Sequence, residues 1–159
     1  MSGISRLIVK TEIHKATKVL SDALTPFEGK YDYVILDTSP GFSDLSVNVF
    51  FYADEILIPV SMEVLAIEGF KDFMREINEL KEYSNIEIRY ITPTFVDGRV
   101  KKTEDVLEHL QKYFPDKLTP SIHYSSKLSE SPAWGKTIYE FAGRERASKD
   151  YAKLAGAIT

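Results

Sequence analysis

Residues 31–70 read YDYVILDTSPGFSDLSVNVFFYADEILIPVSMEVLAIEGF. Tyr33-Val34-Ile35-Leu36 is a short apolar run that stops at Asp37 and meets the turn formers Thr38, Ser39, Pro40 and Gly41, the pattern of a buried strand running into a loop. Ser43 offers an N-cap oxygen for a short helix through Ala53. Ile56-Leu57-Ile58-Pro59-Val60 reads as a second buried strand, and Ser61 opens a long helix. In that helix Phe70, Phe73, Met74, Ile77 and Leu80 recur at three and four residues, which predicts an inward-facing apolar stripe.

The same alternation continues downstream. Ile86, Ile88, Tyr90 and Ile91 predict a third strand halted at Pro93, and Thr103 is placed to cap a helix carrying Val106, Leu107, Leu110 and Phe114. A weak strand falls near Leu118 to His123, and a final helix from Arg144 carries Ala147, Tyr151, Leu154, Ala155 and Ile158 on one face. Upstream, Leu7-Ile8-Val9 reads equally well as a strand or as part of a helix from Ser5 to Leu24. Alternating strands and helices predict an α/β fold, a mostly parallel sheet with helices on both faces, as a single domain over residues 1–159. Open sheets of this kind bind ligands beyond the carboxyl ends of their strands, which here are 37–43, 60–63 and 92–102.

Composition narrows the chemistry. The chain has 159 residues, 43% of them apolar and 28% charged, with no internal repeat, so it can build its own core without staples. With zero cysteines, disulfide scaffolds, zinc ribbons, iron–sulfur clusters and thiol nucleophiles are excluded. His14, His109 and His123 lie far apart with no metal-ligand spacing, so each reads as a surface or satisfied core histidine. Neither a signal-like segment nor a membrane-length apolar run is present, and the expected compartment is the cytoplasm. Lys and Arg number 9 against 15 acidic residues over 1–94 and 11 against 9 over 95–159, so contact with a polyanion is expected from the C-terminal part.

Asp37 is the most informative single residue, because a carboxylate at the end of an apolar strand stands where a metal or a phosphate-sensing loop would sit. It suits a Walker B aspartate holding magnesium through water, a phosphoryl acceptor of the receiver type, or a plain turn former. The receiver alternative lacks its acidic pair and its lysine, since Ile91-Thr92-Pro93 offers none.

The neighbours of Asp37 resemble the ParA/MinD family of deviant Walker ATPases, and in particular its partition proteins. The matching positions are Tyr31, Asp32, Asp37, Thr38 and Pro40, then Ala53, Asp54, Pro59, Val60, Glu63, Ala66 and Gly69. Similarity continues through Thr92 to Arg99, through Lys127-Leu128-Ser129-Glu130-Ser131-Pro132 with Gly135 and Lys136, and through Arg146 to Ala155, so that the best match spans 31–159. The resemblance implies a P-loop NTPase-like fold of the SIMIBI type, ATP and Mg2+ as cofactors, and a role in plasmid or chromosome partitioning. It gives Asp37 the catalytic role of a Walker B residue on magnesium, and Thr38, Pro40, Pro93 and Thr94 the role of nucleotide contacts.

These residues depart from the family at the front. The eight glycines, at 3, 29, 41, 69, 98, 135, 143 and 156, nowhere give the spacing G-x-x-x-x-G-K-[ST], and Gly135-Lys136-Thr137 follows no apolar strand. The chain therefore reads as N-terminally truncated relative to the family, lacking the P-loop and its strand, and ATP hydrolysis by these residues alone is not expected. Lys127, Arg99, Lys101, Lys102 and Lys136 are the candidates for sequence-independent contact with DNA phosphates, Lys127 by resemblance to a basic residue the family uses so. Expected partners are a second copy or a ParA-type ATPase, non-specific DNA and a centromere-binding protein, with no membrane. The alternative is a catalytically inactive interaction or DNA-binding module that pairs with a full-length ParA-type ATPase.

Overall fold

In this computed structural model the described residues are 18–39 and 43–159. The expectations for Leu7-Ile8-Val9 and Pro40 lie outside them. The chain divides into two compact units, Met1–Ile56 with Asp72–Glu87, and Leu57–Lys71 with Ile88–Thr159.

In the first unit α1 (Val19–Leu24) runs into a 3-10 turn (Thr25–Phe27) and lies against α2 (Asp44–Tyr52). Ser43 caps α2 as its sequence position predicts, its side chain accepting the Ser46 N–H at 3.2 Å. Phe50 of α2 meets Phe73 edge-on at 6.3 Å, and Ile77 and Leu80 are wholly buried. Phe73, Ile77 and Leu80 belong to the C-terminal part of α3 (Val64–Leu80), so the apolar stripe of that helix faces inward as expected.

Tyr33–Leu36 corrects the sequence reading. Among the described residues the run belongs to no strand, and Tyr33, Val34 and Ile35 are 60%, 49% and 88% exposed. A strand acquires its hydrogen bonds and its dry face from neighbouring strands, and among the described residues the sheet is formed by β1 and β2 without this segment.

The second unit holds most of the sheet. β1 (Glu55–Ser61) pairs with β2 (Glu87–Thr94), the Glu87 N–H bonding the Asp54 carbonyl at one end and the Met62 N–H the Thr94 carbonyl at the other, which makes the pair parallel. On the other side of β2, isolated parallel bridges join Ile91 to Leu118 and Val96 to His123, where the weak strand is expected. α4 (Lys101–Tyr113) follows β2, and Phe70 meets Phe114 edge-on at 5.7 Å. Three short pieces, α5 (Ser126–Glu130), a 3-10 turn (Ser131–Trp134) and α6 (Ile138–Ala142), lead to α7 (Arg146–Ile158).

Three boundaries differ from the sequence reading for local reasons. β2 continues through Pro93 to Thr94, because the Pro93 carbonyl still accepts the Ile122 N–H at 2.8 Å and only the missing proline N–H is lost. Thr103 is buried inside α4 rather than capping it, because Asp97 turns the chain early, its side chain taking the Arg99 N–H at 3.0 Å and its carbonyl the Val100 N–H at 3.0 Å. α7 begins at Arg146 instead of Arg144, and its buried positions are Ala147, Ser148 and Asp150, while Tyr151 and Ala155 are exposed. Its inward face is therefore partly polar, with the Ser148 hydroxyl donating to the Ala142 carbonyl at 2.7 Å.

Candidate functional site

Asp37 and Thr38 stand exposed at the end of the apolar run in the first unit. Among the described residues no three His, Asp or Glu side chains gather to hold a metal. A single carboxylate such as Asp37 is a normal way to hold magnesium, which keeps several waters and takes its remaining ligands from substrate phosphates. The residues present fit magnesium in that limited sense.

In the second unit the carboxyl end of β2 carries the other predicted contacts. Pro93 is fully buried, and Thr94 is half-buried with its carbonyl engaged by the Met62 N–H at 3.0 Å. The next residue, Phe95, sits at φ 53° with its ring 57% exposed. Left-handed backbone is uncommon for a bulky residue, and its cost is borne where neighbouring bonds over-determine the chain. Here Val96 supplies them: its N–H donates to the Ile122 carbonyl at 3.2 Å, and its carbonyl accepts the Tyr124 N–H at 3.0 Å.

Beyond Phe95, Arg99 forks onto Asp97 through Nε at 2.9 Å and Nη2 at 2.6 Å. The Arg99 guanidinium, followed by the Arg99 backbone N–H, holds the Asp97 carboxyl down at about 2. Lys127 reaches Glu130 at 2.8 Å and lies over the Phe141 ring at 5.8 Å. Lys101 and Lys136 are exposed, and Lys102 lies within α4. All five predicted cations thus belong to the second unit, with Arg99 and Lys127 ion-paired. An open cavity of about 400 Å³ borders Lys127, Phe141, Arg144 and Glu145.

Sequence reasoning passed over one polar cluster. His123 Nδ1 lies 2.8 Å from Asp150 Oδ2, and the Arg146 guanidinium lies against His123 Nε2. His123 is therefore a satisfied histidine, as its isolation in the sequence suggests. The available signal is Asp150 at helical spacing from Ala147 and Arg146, a carboxylate on the inward face of the last helix.

A family model described as "AAA domain" matches residues 3–90, more than half of the chain. The sporulation initiation inhibitor protein Soj of Bacillus subtilis is 32% identical over 139 residues, covering 86% of this chain and 55% of that protein. The chromosome partitioning protein ParA of Caulobacter vibrioides is 32% identical over 141 residues, covering 86% of this chain and 53% of that protein. This chain belongs to the ParA/MinD-like ATPase family. The fold agrees with that membership: the structure of apo McdA from Cyanothece superposes on 98% of this chain and 63% of its own with a TM-score of 0.79 at 19% identity. The ATP complex of a point variant of Cyanothece McdA gives 0.75, with 96% of this chain and 58% of that one covered, at 18% identity. The chain spans about half the length of the relatives it matches. Its architecture of helices and parallel strands agrees with the P-loop NTPase-like fold of that family. Among the described residues no helix is long and apolar enough to cross a membrane.

Proposed function

We propose that this chain acts in ParA-type partitioning of plasmids or chromosomes, contributing the Walker B aspartate and the cationic surface of a nucleotide-dependent DNA-binding ATPase. Its similarity to Soj and ParA across most of its length carries the reading. By resemblance to the family, Asp37 takes the role of the magnesium residue, and Thr38, Pro40, Pro93 and Thr94 take those of nucleotide contacts. Lys127, Lys101, Lys102, Lys136 and Arg99 meet DNA phosphates, with Arg99 and Lys127 first exchanging their carboxylate partners for phosphate.

No sequence of the phosphate-loop type occurs in these 159 residues, and that favours a second reading in which the chain is an interaction module that binds DNA or a ParA-type partner without turning ATP over. One pair of measurements separates them: calorimetry of ATP–magnesium on the purified chain, and DNA binding at several salt concentrations. Nucleotide binding lost in Asp37→Ala supports the first. Salt-sensitive DNA binding without nucleotide binding, with the log–log salt slope reduced by about one in Lys127→Glu, supports the second. Silence in both assays overturns both.

A further inference from the structure

We propose that His123 is a proton-operated latch on Arg146, which holds the guanidinium while the imidazole is neutral and frees it to meet a phosphate anion when the imidazole takes up a proton. Three side chains form the device. The Arg146 guanidinium lies against His123 Nε2, and a guanidinium has donors alone, so Nε2 must present its lone pair. The proton of a neutral ring then sits on Nδ1, which lies 2.8 Å from Asp150 Oδ2. That oxygen is an acceptor already, since it takes the His123 backbone N–H at 3.1 Å. Donor and acceptor roles close in one arrangement, and it is the arrangement of a neutral histidine.

Protonation breaks one end of this relay and tightens the other. The new N–H on Nε2 points at the N–H groups of Arg146 and sets two positive charges in contact, while Nδ1–H and Asp150 become an ion pair. Arg146 is the group that moves. The Asp150 side chain is 7% exposed on the inward face of α7, whereas Arg146 is exposed at the first residue of that helix and, among the described residues, pairs with no carboxylate. The His123 side chain is 22% exposed, which lets water exchange its proton. The other charges nearby are engaged or turned to solvent. On α7, Glu145 and Lys149 are exposed; at the end of β2 the Val96 main chain bridges to His123, and Asp97 and Arg99 beyond it hold each other; on α5, Lys127 is paired with Glu130. The same unit carries the cations proposed to meet DNA phosphates, so a released Arg146 adds one more as pH falls. The regulatory role rests on that reading, and the latch on the geometry alone.

The test is NMR of the full chain, with nitrogen-labelled histidine and arginine, from pH 8 to pH 5, followed by duplex DNA binding across a salt series at both ends of that range. The expected result at pH 8 is a proton on His123 Nδ1 and none on Nε2, with the Arg146 guanidinium protons protected from exchange. That protection is lost at the midpoint of the His123 titration. Arg146→Gln raises the midpoint by about half a pH unit or more and Asp150→Asn lowers it, because the first removes a positive neighbour and the second a negative one. Where Asp150→Asn fails to fold, Arg146→Gln alone decides the sign. Between pH 8 and pH 5 the log–log salt slope of DNA binding steepens by about one more in the parent than in His123→Gln, which takes up no proton there. A proton on Nε2 at pH 8, Arg146 signals that ignore the His123 titration, a midpoint unmoved in Arg146→Gln, or equal pH dependence of DNA binding in the parent and His123→Gln each overturns the proposal. A chain that binds no DNA at either pH counts against the proposed function instead, and the NMR result then decides the latch by itself.

Discussion

Asp150 on α7 holds His123 at two points, accepting the His123 backbone N–H at 3.1 Å and lying 2.8 Å from ring Nδ1 with the same oxygen. The carboxylate side chain is 7% exposed, so these bonds replace water that the group has lost. The contact joins the last helix to the end of the 117–123 segment. Asp150→Ala is expected to lower stability by about 2–3 kcal/mol, as for lost bonds to a buried charge, and Asp150→Asn by less because one acceptor remains. Urea unfolding of the two variants checks the order, and equal stability of Asp150→Ala and the parent would refute the role.

Asp97 makes a prediction in pH. Its carboxyl, held near 2 by Arg99, has a folded value below the ordinary 3.8. A depressed carboxylate contributes stability that is fully present above about 3.8 and is lost as pH falls toward about 2. In Arg99→Met the Asp97 resonance should titrate above about 2 by NMR but still below 3.8, because the backbone N–H of residue 99 remains, and the acid limb of the stability profile should move up with it. An unchanged midpoint would show that the backbone N–H of residue 99, and not the guanidinium, sets the value.

The core of the first unit is testable by truncation. Ile77 and Leu80, on the same helix as Phe73, are wholly buried. Ile77→Ala is expected to cost about 2–5 kcal/mol through lost transfer energy and the cavity left behind. Glu82→Ala, two residues past α3 and exposed, should be near neutral in the same denaturant experiment.

Thr137 and Glu140 form a reciprocal cap on α6: the Glu140 N–H donates to the Thr137 hydroxyl at 3.3 Å, and the Glu140 carboxylate accepts the Thr137 N–H at 2.9 Å. The backbone N–H of Thr137, then its hydroxyl, lower the Glu140 carboxyl below its usual range. Thr137→Ala should cost about 1 kcal/mol, and Thr137→Ser should restore most of it, read by thermal unfolding.

Much of this architecture is legible in local pattern. Ser43, the strand at Ile56–Val60 and the stripe from Phe70 to Leu80 each express a rule that acts within a few residues, and each stands where the rule puts it. Tyr33–Leu36 is different, because whether an apolar run becomes a buried strand depends on a neighbour that the run itself does not encode. Thr103 and Pro93 read as a cap and a stop only if the loop between them is passive, whereas Asp97 organises it. The site divides in the same way. Asp37 and the five cations are visible as residue types in a pattern, but the pairing of Arg99 with Asp97, and of His123 with Asp150, joins positions only folding brings together.

The left-handed step at Phe95 has a consequence for the phase of the strand. In a regular strand, residues of one parity turn their main-chain groups to one neighbour. Ile91 and Pro93, both odd, bond toward the 117–122 stretch, and so does Val96, which is even. The backbone changes parity between them, and φ 53° at Phe95 marks the place. A chain that kept strict alternation would turn the Val96 N–H away from Ile122 and send Asp97 and Arg99 off from the opposite edge. One residue's handedness thus sets the direction in which the whole cationic loop departs.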